Sequence, residues 1–197
     1  MFDDKYGLTK AVLSKSKTMT RRIIPLTEED RKYLETAFDW DLREAVILDR
    51  YARYKVGDEV AISQTYKDIL ESQYLPSAKE NEVISLVEKN HIGCTNKMYV
   101  RADLMPHSIR ITNVRIERLQ DISKDDCMRE GIIRRDDMIN YRMEEIVRYT
   151  FEGSFENKIW KCYKTPREAF AALIDKVSRR GTWEKNPWVF VFEFELV

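Results

Sequence analysis

The stretch "NPWVFVFEFELV", residues 186–197, constrains the fold more than any other part of the chain. Trp188, Phe190, Phe192, Phe194 and Leu196 recur at every second position. That is the period of a β-strand, whose successive side chains alternate between two faces. A face carrying four aromatic rings and a leucine has to be buried. Val189 and Val191 make the first half apolar on both faces, so a helix is expected to cover that half from the other side. No glycine and no interior proline interrupts the run, which suits a central strand. The expectation is a central strand of a β-barrel, with its Trp/Phe face inward.

The partners of such a strand are found upstream. Ile109 and Ile111 alternate with Arg110 and Thr112; Val114 and Ile116 alternate with Arg115 and Glu117. The phase slips by one between Ile111 and Val114, and a β-bulge near Thr112-Asn113 would absorb the slip. Gly57-Asp58 is a turn pair, and Val60 to Ser63 reads as a strand. His107, in "MPHSIR", reads as a loop or strand-start residue.

Helices are announced by their caps. Leu8, Val12 and Leu13 follow helical spacing before "KTMT". Thr27 precedes acids in a first turn, and "TEEDRKYLETAF" opens a charged helical stretch to about Tyr54. Ser123 caps a short helix with Asp125 and Asp126 in its first turn and Gly131 at its exit. Thr165, Pro166 and Glu168 form a cap, an N1 proline and a capping box, followed by the apolar stripe Phe170, Leu173, Val177. Between these elements lie stretches read as insertions at about residues 26–53, 68–97 and 133–164. The first and last are expected to be peripheral and largely helical, the last around Met138 to Tyr149. The middle one reads as a polar excursion with one short helix.

A length of 197 residues suits one domain. Basic and acidic residues balance at 34 each, so there is no global field to draw in nucleic acid. Three well-separated cysteines and two histidines argue against a disulfide framework, a zinc knuckle or a Ser-His-Asp triad. Cys127 reads as packing, and no metal or cofactor is called for. No run of about 18 apolar residues is present, so no membrane span is expected. The acidic start "MFDDKYG" lacks the regions of a signal peptide, which points to a cytoplasmic protein.

The motif with most chemistry is "SKSKTMTRR", residues 14–22. Read plainly, it is a solvated basic strand. Read as a site, Arg21 and Arg22 can grip phosphate bidentately. Lys17 could act as a base for the Thr20 hydroxyl if burial and the neighbouring arginines lowered its pKa. On a regular strand, however, Lys17 and Thr20 point to opposite faces, so a shared site needs non-strand backbone around Lys17 to Met19. Arg101, Arg110 and Arg115 could extend a basic patch. Trp188 and Tyr66 could stack on a base, though an apolar strand face favours core packing for Trp188.

Taken in order, "KTMTRR", "VGDEVAI", "RITNVRIERLQDIS…EGI" and "NPWVFVFEFELV" resemble the ASCH domain of the PUA-like superfamily, closest to its bacterial and phage-associated members. The resemblance covers roughly residues 8–25, 54–67, 98–132 and 165–197. It implies an α+β fold: a mostly antiparallel β-barrel with peripheral helices and a cleft beside the barrel. It implies binding of RNA, a nucleotide or a modified nucleobase, with Thr18, Arg21, Arg22, Gln64 and Tyr66 at the cleft. One branch of the family consists of amidohydrolases acting on N4-acetylcytidine, and its Lys, Thr and Glu match Lys17, Thr20 and Glu130. A metal-dependent ribonuclease is a further implied alternative. Apart from the resemblance, the charged stretches 26–53 and 133–164 could serve as docking surfaces for a protein partner. Two departures stand out. Lys15-Ser16 replaces the usual Gly-Arg, and Gln64 replaces a glutamate in "SQTY".

Overall fold

Residues 2–36, 38–72, 77–139, 142–156 and 159–197 are described by a computed structural model of the chain. A short 3-10 turn precedes α1 (Leu8–Leu13), then β1 (Met19–Ile23), α2 (Glu28–Thr36) and α3 (Trp40–Tyr51). Next come β2 (Glu59–Ala61), α4 (Tyr66–Ser72), α5 (Ser77–Glu88), β3 (Ser108–Arg118) and α6 (Lys124–Arg129). The chain continues through β4 (Ile133–Ile139), β5 (Glu145–Thr150), β6 (Phe155–Glu156) and β7 (Ile159–Trp160). It ends with α7 (Pro166–Val177), α8 (Thr182–Lys185) and β8 (Trp188–Leu196).

The fold is α+β around an antiparallel sheet that curls into a half-barrel. The sheet order is β1-β8-β3-β2, so the aromatic strand lies inside it and β1 and β2 form its edges. Opposed residues share a face. Thr20, Phe192 and Val114 stand on the inner face, with Phe190, Phe194, Ile109 and Ile111. Met19, Arg21, Val191, Arg115 and Glu117 stand on the outer one. Phe190, Phe192 and Phe194 are buried, as their period requires. The slip in β3 falls between Ile111 and Asn113 and lets both halves keep their apolar residues inward.

Local chemistry explains the helices that position the site. Ser123 Oγ accepts the Asp126 N–H at 3.0 Å, and Gly131, at φ 101°, releases the chain beyond α6. Thr165 Oγ1 accepts the Glu168 N–H at 3.2 Å, while Glu168 Oε2 accepts the N–H of Lys164 at 3.0 Å. Helix α7 packs on the outer face, where the Phe170 ring lies 5.9 Å from the Arg21 guanidinium carbon.

Residues 26–53 are helical, but they do more than skirt the sheet. Leu34 and Ile47 are fully buried in the main core, and Trp40 lies against Trp188 at 5.7 Å. Residues 133–164 overturn the helical expectation: they form the hairpins β4–β5 and β6–β7. Their charges form ion pairs two residues apart, Arg134–Asp136 at 2.8 Å and Arg135–Asp137 at 2.5 Å, a reach natural to extended chain. Ile146, Val147, Tyr149 and Thr150 are β-formers that the charge density obscured. Asn140 and Tyr141, within the expected helix, lie outside the described residues.

The stretch at 68–97 also differs from expectation. It holds most of α4 and all of α5, and its Ile69, Val83 and Cys94 join Tyr66, Leu104 and Met105 in a second core. Residues 73–76 of this stretch lie outside the described residues. The strand expected at Val60 to Ser63 is the shorter β2. Among the described residues, no helix is long and apolar enough to cross a membrane.

Candidate functional site

The motif at residues 14–22 is not a continuous strand. Helix α1 closes in a turn through Ser14–Ser16, in which Lys15 adopts φ 61°. This is the left-handed region that favours glycine. The Ala11 carbonyl accepts the Lys17 N–H at 2.9 Å, and the Arg129 carbonyl accepts the Thr18 N–H at 3.0 Å. Strand pairing therefore starts only at Met19. The turn carries Lys17 into the outer-face ion pairs, while the register keeps Thr20 on the inner face, so the two side chains still stand on opposite sides of β1.

Lys17 is 2% exposed. Its Nζ donates to Glu130 Oε2 at 2.6 Å and to the Glu130 carbonyl at 2.8 Å. Glu130, 4% exposed, is the C-cap of α6, so the cap chemistry of that helix aims its carboxylate under β1. On the other oxygen, Oε1, Glu130 accepts Arg21 Nη1 at 3.1 Å. Arg21 then donates through Nε and Nη2 to Glu117 Oε1, at 2.8 and 2.6 Å, and through Nη2 to Asp126 Oδ2 at 3.3 Å.

The network extends further. Arg115 contacts Asp126 at 3.1 Å, Glu117 at 3.4 Å and Glu193, and Arg129 reaches Glu193 at 2.7 Å. Lys17, Arg21, Arg115 and Arg129 thus face Glu117, Asp126, Glu130 and Glu193, four charges of each sign, across the outer face.

Burial pushes the Lys17 amine below the usual lysine pKa. The Glu130 carboxylate opposes this, and Arg22 and Arg21 add to the lowering. For Arg21, burial works in the same downward direction, but Glu130 and Glu117 outweigh it and hold the guanidinium more firmly charged than usual. Cys127, buried under the same helix, is pushed up to about 12 by burial, which makes it packing rather than nucleophile.

Lys17, Thr20, Arg21, Arg22 and Glu130 line one cavity of about 450 Å³ at the β1 edge. Its far wall is the N-terminal segment Phe2 to Lys5 with Lys97, and Phe170, Leu173 and Ile174 supply an apolar side. Lys97 holds the wall in place by pairing with Asp4 at 2.7 Å and donating to the Phe2 carbonyl. Thr20 stands half-buried on the inner face, with no hydrogen bond to Lys17. Arg22 is exposed at the mouth, whereas Arg21 is a buried strut rather than a rim residue.

Three of the expected cleft residues lie elsewhere. Tyr66 is fully buried in the second core, where its hydroxyl accepts the Arg101 N–H at 3.0 Å and its ring lies beside His91. It is a packing residue and offers no face to a base. Gln64 is buried beside Met105, and its Oε1 has no hydrogen-bond partner among the described residues. Thr18 accepts Arg129 Nε at 3.2 Å and does not line the cavity.

Trp188 packs between Trp40 and Arg118, whose guanidinium lies 4.4 Å from its ring. Arg101 and Arg110 are engaged by Glu82, Asp103, Glu59 and Glu195, so they extend no basic patch. Sequence pattern hides the parts played by Glu117 and Asp126, because Glu117 alternates toward an apparently solvated face and Asp126 fits a helix first turn. A signal was present: the outer face at Val189 and Val191 had to be covered, and charges under a cover must pair.

Among the described residues, no group of three or more His, Cys, Asp or Glu is placed to hold a metal ion. Comparison of the chain with protein-family models, with curated proteins and with solved structures gave no match.

Proposed function

We propose that the pocket at the β1 edge binds a nucleoside-sized ligand and hydrolyses an acyl amide on it, with N4-acetylcytidine as the type substrate. One observation carries this reading: the buried Lys17–Glu130 pair opens onto a cavity that Thr20 also lines. The likeness of "KTMTRR" and "NPWVFVFEFELV" to ASCH domains supports it, and a curled antiparallel sheet is compatible with a PUA-like barrel. A volume near 450 Å³ suits a ligand of that size.

In this reading Lys17 is the base. A threonine hydroxyl attacks only when its proton is taken, and a lysine takes it only when neutral. Burial favours the neutral amine. Arg21 helps by sharing the charge of Glu130, which would otherwise hold the proton on Lys17. Thr20 Oγ1 attacks the acyl carbon as its proton passes through a water in the shared cavity to Lys17, since the two side chains stand on opposite faces of β1. The carbon–N4 bond then breaks, and Lys17 returns the proton to the leaving amine. Water attacks the threonyl ester with Lys17 again as base; the carboxylic acid leaves and Thr20 regains its proton. Glu130 fixes the amine throughout.

Binding of RNA, a nucleotide or a modified nucleobase without turnover is the second reading, favoured by exposed Arg22 at the mouth. The test is release of acetate and cytidine from N4-acetylcytidine. Thr20→Ala is expected to lower the rate at least about 100-fold. Its melting temperature should barely change, since the hydroxyl has no hydrogen-bond partner among the described residues. Binding without release in the native protein supports the second reading. Undiminished release by Thr20→Ala overturns the nucleophile assignment.

A further inference from the structure

Beside the polar pocket lies a smaller alcove of about 70 Å³. The two cavities share three lining residues: Phe2, Thr20 and Arg22. Beyond Thr20 and Arg22 the alcove wall is apolar or aromatic, with Val60, Ile109, Ile111 and Phe192 facing inward from the sheet. It lies against the inner face of the half-barrel, lined by residues of both edge strands, β1 and β2.

Strand register fixes which side Thr20 serves. Thr20 pairs with Phe192, so its side chain stands on the inner face, while Lys17, Arg21 and Glu130 meet on the other side of β1. Thr20 is therefore the border residue between a charged pocket and an apolar one. We propose, building on the hydrolase reading above, that the chain prefers amides with propionyl or butyryl groups over acetyl, and that this alcove is the acyl site. When Thr20 Oγ1 bonds to the acyl carbon and the carbon–N4 bond breaks, the acyl chain lies on the inner-face side, and the departing base lies in the polar pocket.

Size sets the chain length. At about 30 Å³ per water-sized group, the alcove of about 70 Å³ holds roughly two such groups beyond the α-carbon, which stands at the Thr20 border, and that is the chain of a butyryl group. An unfilled apolar void also lacks contacts on one side, which a methylene would supply. Hexanoyl and benzoyl groups overfill it.

The test is kcat/KM for N4-acetyl-, propionyl-, butyryl- and hexanoylcytidine. The expected profile rises about fourfold per added methylene to butyryl and falls at hexanoyl. Val60→Phe, which fills the alcove from a half-buried edge-strand position, is expected to bring the butyryl-to-acetyl ratio below one. A flat or falling profile from acetyl onward overturns the inference. Methyl NMR of Ile109 and Ile111 provides a readout without turnover. N4-butyrylcytidine should shift both methyl signals more than N4-acetylcytidine does. If no compound is hydrolysed but this difference appears, the hydrolase reading fails and the acyl alcove stands. If the shifts are absent or equal, the alcove assignment fails whatever the turnover.

Discussion

Replacing Glu130 by Gln removes the one anion among the described residues that pairs with Lys17 and leaves the shape nearly unchanged. At 2.6 Å and an effective dielectric of about 20, the attraction between the two charges is on the order of 6 kcal/mol. Part of this is returned because a neutral amide is easier to bury than a carboxylate. The net loss expected for breaking a buried pair is about 3–5 kcal/mol at neutral pH. For a chain of 197 residues that corresponds to a fall of roughly 6–20 °C in Tm.

The pH dependence has a defined sign. Lys17 has a lowered pKa in the folded protein, so between that value and 10.5 the unfolded chain binds more protons, and stability rises with pH. Loss of the carboxylate lowers the folded pKa further and extends that window downward. The deficit of Glu130→Gln relative to the native chain should therefore shrink as pH rises. Urea titrations of both proteins at pH 6, 7.5 and 9 measure it. A loss below about 1 kcal/mol at pH 7.5, or a deficit that grows with pH, would refute the account of Lys17 as a buried, anion-dependent amine.

Arg21→Lys keeps a charge but cannot reach Glu117, Asp126 and Glu130 together, so urea denaturation should show a loss of about 1–3 kcal/mol. Lys15→Gly relieves a left-handed residue that normally carries a penalty of about 1–2 kcal/mol, offset in part by greater freedom of the unfolded chain. A gain of up to about 1 kcal/mol in urea is expected, and a loss would mean that the Lys15 side chain has a role of its own. In native buffer a thiol reagent should label half-buried Cys162 well before Cys127 and Cys94, which should react fully only in denaturant.

The sheet was legible where one period governs. The alternation from Trp188 to Leu196, the slip at Thr112-Asn113 and the caps at Ser123 and Thr165 each follow from a local rule, and each is found in place. The hairpins at 133–164 were not legible, because alternating charges next to one another suit an exposed helix as well as a solvated strand. Val83, Leu86 and Val87 do carry helical spacing, but they serve a second core whose other half lies near Leu104, too far along the chain for a local pattern to show.

At the site, the convergence of Lys17, Thr20 and Glu130 came from the resemblance and not from periodicity. Local chemistry could say only that a turn was needed; a turn is present at Lys15, yet Thr20 keeps the inner face of β1 and meets Lys17 only as lining of one cavity. The roles of Arg21, Glu117 and Asp126 depend on a cover formed by α6 and α7, and no window of sequence contains both sides of that contact.

Thr112 has no residue opposite it in the ladder: Ile111 faces Phe194, and the next pair is already Asn113 with Glu193. Deleting it would leave every other side chain of β3 on its present face, so the inside–outside pattern would survive intact. What would go is the extra length along one strand that makes the sheet bend. Pattern and curvature are thus written separately in this chain. The hydrophobic alternation decides what is inside, while one surplus threonine helps decide how much room the inside has.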